Sequence, residues 1–272
     1  MCYDYMRVGP RVMGKDDYGV LGVTSVDDEV FVLLCLYYNQ VAVYSISSYQ
    51  LLRHLSLPEL KLNDFNNLTS CVRHKCLYMS DYNNSCIHRY DLANSARSKW
   101  AVPEHPCGLS VTPDCNLLVT CQSPDKLVEL SAESGQCVRE IVLQAAVCLP
   151  WHGVQLTTDK YVVSHGRKYS LSHRVCIVDD DGRVIRSYGG KCGTENGQMN
   201  WPRQVAVDKD SQFIFVADHE NSRVVLLTPT LQFVRHISEG ISRPYSLHFN
   251  DAKRRLYVGE WARHSGVVVI QL

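Results

Sequence analysis

The chain has 272 residues, 45% of them apolar, and its 28 Lys and Arg are matched by 28 Asp and Glu, so the formal net charge is zero. That balance excludes capture of nucleic acid or an anionic membrane by gross charge and leaves only a local basic patch for either. The longest apolar run, Val30 to Tyr38, is about half the roughly 20 residues of a membrane-spanning helix, and no basic stretch with a hydrophobic core opens the chain, so a cytoplasmic protein with no membrane partner is expected.

In chain order, β-branched and aromatic runs of four to six residues alternate with turn residues, and no stretch sustains a helical period. Residues 1–20 hold a lead-in with an extended segment at Asp4–Val8. The first unit covers about 21–56. The second, about 66–102, has Leu77–Asp81 as its second strand. In the third, about 106–143, Pro106-Cys107-Gly108-Leu109 leads to Leu117–Thr120. In the fourth, about 150–188, Pro150–Val154 leads to Tyr161–Ser164. The fifth, about 201–238, is clearest: Trp201–Asp208, a turn over 209–212, Phe213–Asp218, a loop over 219–222, Arg223–Leu227, then Phe233–Ile237. The sixth, about 243–272, repeats Arg243–Leu247, Leu256–Glu260 and Val267–Ile270, and stops after its third strand.

Third strands end at Tyr44, Tyr90, Leu130, Val178, Leu227 and Ile270, at intervals of 46, 40, 48, 49 and 43 residues. This is the period of four-stranded propeller blades. The sequence therefore predicts an all-β chain, one domain over 1–272, folded as a six-bladed β-propeller of four-stranded antiparallel blades. The last blade lacks an outer strand and would present an open edge, so the N-terminal segment is expected to close the ring.

Most of the twelve cysteines lie in or beside apolar runs, as at Cys35, Cys121 and Cys176, and are expected as small buried hydrophobes. Cys71, His74 and Cys76 form a compact cluster without a second pair at zinc-finger spacing, and are expected to be a hairpin turn between two strand cysteines. Asp179-Asp180-Asp181-Gly182 lacks the closing Glu of a calcium loop and is expected to be the turn between the third and fourth strands of blade 4, with Gly182 at positive φ. No metal and no small-molecule cofactor are expected.

Gly197-Gln198-Met199-Asn200-Trp201-Pro202, Phe215-Val216-Ala217-Asp218 and Asn221-Ser222-Arg223-Val224 together resemble the NHL repeat of the C-terminal propeller of tripartite-motif (TRIM-NHL) proteins. The resemblance is specific over 189–238, weaker over 243–272, and rests on strand phase over 20–185. These motifs fit it better than the extracellular propeller of low-density lipoprotein receptor type. It implies a non-catalytic platform that binds protein or RNA on one face, like the substrate-recognition propeller of TRIM-type ubiquitin ligases. The sequence has no RING-spaced Cys/His array, no B-box and no heptad run, so no ligation by this chain alone is expected. Asp218 and Arg223 are expected to fasten the blade rather than bind a ligand.

In such a ring the loops leading into the inner strands and those between second and third strands emerge on one face. Residues there that suit a binding hot spot are Trp151, His152, Arg167, Lys168, Arg203, His219, Tyr245, Trp261, Arg263 and His264. A protein partner is the first expectation. Single-stranded RNA on a basic rim of Arg203, Arg167, Lys168 and Arg263 is the alternative. A metal-dependent lyase or hydrolase of propeller type is the third, and only His152, His248 and Asp208 offer it candidate ligands. No Gly-x-Ser-x-Gly elbow, phosphate loop or His-Glu-x-x-His motif is present, so no enzymatic activity is expected.

Overall fold

Runs such as Leu117–Cys121 and Ile214–Asp218 are buried along their whole length in the computed structural model, which fits strands covered on both faces. The fourth runs of the repeats, Leu51–Ser56, Arg97–Ala101 and Cys137–Val142, are mostly exposed, which places them outermost. The structure describes residues 19–35, 40–102, 105–166, 172–262 and 266–272, together with the backbone of 7–13.

The strands are Arg7–Met13 (β1), then four per blade. Blade 1 is Val20–Val26 (β2), Glu29–Leu34 (β3), Gln40–Ser45 (β4) and Leu51–Ser56 (β5). Blade 2 is Leu68–Cys71 (β6), Cys76–Asp81 (β7), Cys86–Asp91 (β8) and Arg97–Ala101 (β9). Blade 3 is Pro106–Val111 (β10), Leu117–Cys121 (β11), Lys126–Leu130 (β12) and Cys137–Val142 (β13). Blade 4 is Pro150–Thr157 (β14), Lys160–His165 (β15), His173–Asp179 (β16) and Val184–Gly190 (β17). Blade 5 is Pro202–Val207 (β18), Ile214–Asp218 (β19), Arg223–Leu227 (β20) and Phe233–Ile237 (β21). Blade 6 is Pro244–Asn250 (β22), Arg255–Glu260 (β23) and Val267–Gln271 (β24). Each blade is one four-stranded antiparallel sheet, and β1 is the outer strand of the sixth, in the order β1-β24-β23-β22.

The N-terminal strand therefore closes the ring. Its pairing begins in the expected Asp4–Val8 segment, with Arg7 opposite Gln271 and Val8 opposite Ile270, and runs on to Met13; Asp4, Tyr5 and Met6 fall outside the described residues.

Turns recur with the same backbone chemistry. Between first and second strands a left-handed residue stands at Asp27, Lys75, Cys115, Gln212 and Arg254; between third and fourth strands it is Tyr49, Ser95, Gly135, Gly182 and Leu231. Such residues close short hairpin loops with the twist of the flanking strands. Gly182, at φ +76°, has a second reason: a Cβ there would run into the Val142 carbonyl of blade 3.

The core is divided among the blade interfaces. One apolar cluster joins Phe215 and Leu226 of blade 5 to Phe249 and Leu256 of blade 6, another joins Val20 and Val32 of blade 1 to Tyr257 of blade 6, and the other four interfaces have clusters of the same kind. The inner strands surround a channel of about 490 Å³, lined by Val23, Leu68, Leu109, His152, Gln204 and Leu247 from all six blades, with Asp27, Arg73 and Lys253 at the mouth formed by the first-to-second turns.

Candidate functional site

The opposite mouth of the channel is shaped by two repeated irregularities. In blades 3 to 6 the residue before the inner-strand proline is left-handed: His105, Leu149, Trp201 and Arg243, with φ of 56°, 52°, 61° and 45°. Immediately after it the register slips, between Pro106 and Gly108, Pro150 and His152, Pro202 and Val205, and Pro244 and Ser246. A bulge re-aims the side chain it carries, and the bulged residues are Cys107, Trp151, Arg203 with Gln204, and Tyr245.

Arg203 lies at the centre of what results. Its guanidinium carbon is 3.7 Å from the Trp151 ring centroid, 3.8 Å from that of Trp201 and 4.4 Å from that of Tyr245. Stacked rings continue outward: Trp151 on Phe65 at 5.3 Å, Phe65 on Tyr82 at 4.4 Å, Tyr82 on His105 at 4.6 Å. On the other side Tyr245 stacks on Trp261 at 5.0 Å, and His219 meets both Trp201 and Tyr245 edge-on. Trp151 Nε1 donates to the Gly166 carbonyl at 3.0 Å, and the Tyr245 hydroxyl donates to the Asp64 carbonyl.

The charges in this face are unevenly satisfied. Arg203 is 4% exposed, and its Nε and Nη1 have no acceptor among the described residues. Burial pushes its pKa down to about 10, so it remains a cation at neutral pH. Burial, helped by the charges of Arg203 and Arg243, pushes His219 down to about 3. The neutral ring then donates from Nδ1 to the Pro244 carbonyl at 3.1 Å and accepts from Arg243 Nη2 at 3.2 Å. Arg243 also pairs with Glu220 at 2.7 Å.

The structure thus brings Trp151, Arg203, His219, Tyr245 and Trp261 together. The sequence expectation of an exposed basic rim at Arg203 is corrected, because the bulge turns that residue inward under the rings. His152 points into the channel wall, its Nε2 against the Leu109 carbonyl at 2.9 Å and its Nδ1 accepting from the Val205 N–H at 3.4 Å. Arg167, Lys168, Arg263 and His264 lie outside the described residues. Phe65, His105 and Trp201 belong to the face but were absent from the sequence-derived set, and Tyr82 was reached only as part of the loop between the second and third strands of blade 2. For His105 and Trp201 the phase of the repeat held the signal, since each directly precedes an inner-strand proline.

The fastening role expected of Asp218 and Arg223 is visible. Arg223 Nε donates to Asp218 Oδ2 at 2.7 Å, and its terminal nitrogens donate to the carbonyls of Thr194 at 2.6 Å and Gln198 at 3.0 Å. Asn221 Nδ2 donates to Asp218 Oδ2 at 2.8 Å, and the other carboxylate oxygen accepts the Asn200 N–H at 2.6 Å. Cys71 and Cys76 face each other across the β6–β7 hairpin, and Cys76 Sγ donates to the His74 carbonyl at 3.0 Å.

No family model matches the chain, and no curated protein does. Solved structures do. The chain is similar to hydrazine synthase of Kuenenia stuttgartiensis, with a TM-score of 0.65 and 14% identity over 97% of this chain and 98% of that one. It is similar to a catalytically inactive virginiamycin B lyase of Staphylococcus aureus solved with quinupristin, with a TM-score of 0.66 and 11% identity over 98% and 100% of the two chains. The WD40 β-propeller domain of Doa1 gives a TM-score of 0.64 and 12% identity over 98% and 97%. At these identities the likeness shows the propeller fold alone. No helix among the described residues is long and apolar enough to cross a membrane.

Proposed function

We propose that the chain is a non-catalytic interaction module of NHL type that binds a protein segment across the face centred on Arg203. The observation that supports this is the guanidinium itself, buried, charged and held by rings with two nitrogens lacking acceptors. Burial of a charge without hydrogen bonds is costly, and an acidic group of a partner seated over the rings would offset that charge through space, without reaching the buried nitrogens. Around it the half-buried Phe65, Tyr82, Trp201 and Trp261 offer the aromatic surface that dominates interface energetics.

The network joining Asp218, Asn221 and Arg223 to the backbone of Thr194, Gln198 and Asn200 supports the NHL resemblance, because it gives those residues one shared task. A place in a TRIM-type ligase, as the part that recognises a substrate, follows from that resemblance. Lyase and hydrazine synthase neighbours show that the fold can host chemistry. In this chain the channel histidine His152 spends both ring nitrogens on the wall, which favours the non-catalytic reading. Single-stranded RNA is the second reading, and the row Trp151-Phe65-Tyr82-His105 favours it, as stacked rings suit unpaired bases.

The test is selection of displayed peptides on the immobilised full chain, repeated with Arg203→Met, with Tyr82→Ser/Trp201→Ser, and with Val138→Ser on an exposed outer strand. Selected peptides carrying Asp or Glu, captured by wild type and Val138→Ser and lost with both face variants, support the reading. Capture indifferent to the face variants refutes it. Mixed-sequence single-stranded RNA titrated at low and moderate salt is the companion arm: binding that weakens with salt and disappears with Tyr82→Ser/Trp201→Ser would replace protein by RNA.

A further inference from the structure

Blades 2 and 5 build the same turn from different chemistry. In each, a fully buried Asp ends the second strand, four residues follow that end in Asn-Ser, and the Ser is left-handed, with φ of 47° at Ser85 and 49° at Ser222. The third strand then opens directly opposite the Asp, with Cys86 facing Asp81 in blade 2 and Arg223 facing Asp218 in blade 5. In blade 5 the guanidinium of Arg223 neutralises the buried carboxylate at 2.7 Å. In blade 2 a thiol stands in its place. His88, two residues on and so on the same face of the strand, turns its ring to the same point, where blade 5 has Val225.

We infer that Asp81, Cys86 and His88 form a three-ligand site for a zinc-like divalent metal, which supplies in blade 2 the positive charge that Arg223 supplies in blade 5. His88 Nε2 lies 3.1 Å from Asp81 Oδ2 and 3.7 Å from Cys86 Sγ, and the three ligand atoms all lie within 4.8 Å of one another. With ordinary bond lengths, the edges of a zinc tetrahedron are about 3.3 Å between N and O and about 3.5 Å between N and S. The two edges at His88 thus match those the ion requires to within about 0.2 Å, the sulfur–oxygen edge is within 4.8 Å, and all three side chains are buried.

The surroundings support the assignment. Asn84 Nδ2 donates to both carboxylate oxygens of Asp81, at 3.1 and 2.9 Å, and its N–H donates to one of them at 3.2 Å, the kind of outer contact that orients a ligating carboxylate. A donor set of thiolate, imidazole and carboxylate selects zinc or cobalt over magnesium or calcium. The Cys86 thiol is raised by burial and by the Asp81 charge, and lowered by Lys99 on the adjacent outer strand. A bound divalent ion reverses the net effect, and the thiol proton leaves to solvent. Lys99 itself is exposed and has solvent to move into. His88 also lines a cavity of about 110 Å³ with Glu59 and Lys99, room enough for a water as fourth ligand.

The test is titration of the chelator-stripped full chain with Co2+ followed by absorption. A sulfur-to-cobalt charge-transfer band in the near ultraviolet, with the visible bands of a four-coordinate ion, is expected to saturate at one equivalent and to be displaced by Zn2+. Cys86→Arg and His88→Val, which install the residues of blade 5 and so are compatible with the fold, are expected to weaken binding at least 100-fold with an unchanged circular dichroism spectrum. Cys71→Ser is expected to leave the titration unchanged. Absence of the band in the wild type, or a band that survives Cys86→Arg, overturns the assignment.

Discussion

Arg203 and Arg223 belong to one blade and are buried alike, at 4% and 7% exposure, yet they are held by different forces. Arg223 closes a carboxylate and two carbonyls, so Arg223→Met would strand Asp218 as an uncompensated buried charge at a cost of about 3–5 kcal/mol. Urea unfolding should show that loss, and Asp218→Asn in the same chain should recover part of it. Arg203→Met leaves no acid behind and removes only ring contacts, which are worth about 0.5–2 kcal/mol each against relief of the charge's own desolvation. Its midpoint should therefore stay close to wild type. A loss equal to that of Arg223→Met would make Arg203 a structural strut and remove the support for the proposed binding face. The fastening role of Asp218 and Arg223 was legible in the sequence because the two flank one tight loop, although their direct bond to each other was not. The burial of Arg203 was not, because its rings come from three blades and its inward aim comes from a bulge that no residue type announces.

Six blades, their turns and their exposed outer strands were legible because each strand carries its own apolar pattern and each turn its own polar or left-handed residue. Register was less so. The closing strand runs through Gly9 and Pro10 to Met13 with irregular pairing between Val8 and Arg11, whereas a proline in the sequence argues for an end. An outermost strand tolerates proline because one row of its amides has no ladder partner. Removal of residues 1–13 would leave β24 as an unpaired edge, with both its pairing and its cover lost. One cooperative thermal transition at a lower midpoint is expected, together with a rise in aggregation; a midpoint equal to that of the full chain would show that β1 does not carry the closure. Gly259 marks the same junction from inside, since a Cβ there would collide with the side chains of Ser246 and Val20. Gly259→Ala is expected to destabilise through the contact of blade 6 with blade 1, as a lower urea midpoint with an unchanged slope.

Among the described residues of the whole ring, burial pushes four histidines far down, His152, His165 and His248 to about 4 and His219 to about 3. In the unfolded chain each returns to about 6.5, so below that pH the unfolded state binds more protons than the folded one. The stability these groups contribute is then fully present above about pH 6.5 and is lost as pH falls toward 4. Each group loses about 1.4 kcal/mol per pH unit over that span. By pH 5.5 four such losses sum to about 5 kcal/mol, comparable with the whole stability of an ordinary domain. Three of the four stand at strand ends or in the channel wall, where the packing between blades desolvates them. No sequence pattern distinguishes them from the exposed histidines, which is why their effect becomes visible only in the assembled ring. Thermal melts at pH 7.5, 6.5, 5.5 and 4.5 are expected to show a level midpoint over the first interval and a steep fall thereafter. His152→Gln should make that fall shallower, since one titrating group is removed while an amide can still meet the Leu109 carbonyl. A midpoint that stays level to pH 5 would mean that the folded ring accepts these protons, and that the histidines are solvated rather than sealed between the blades.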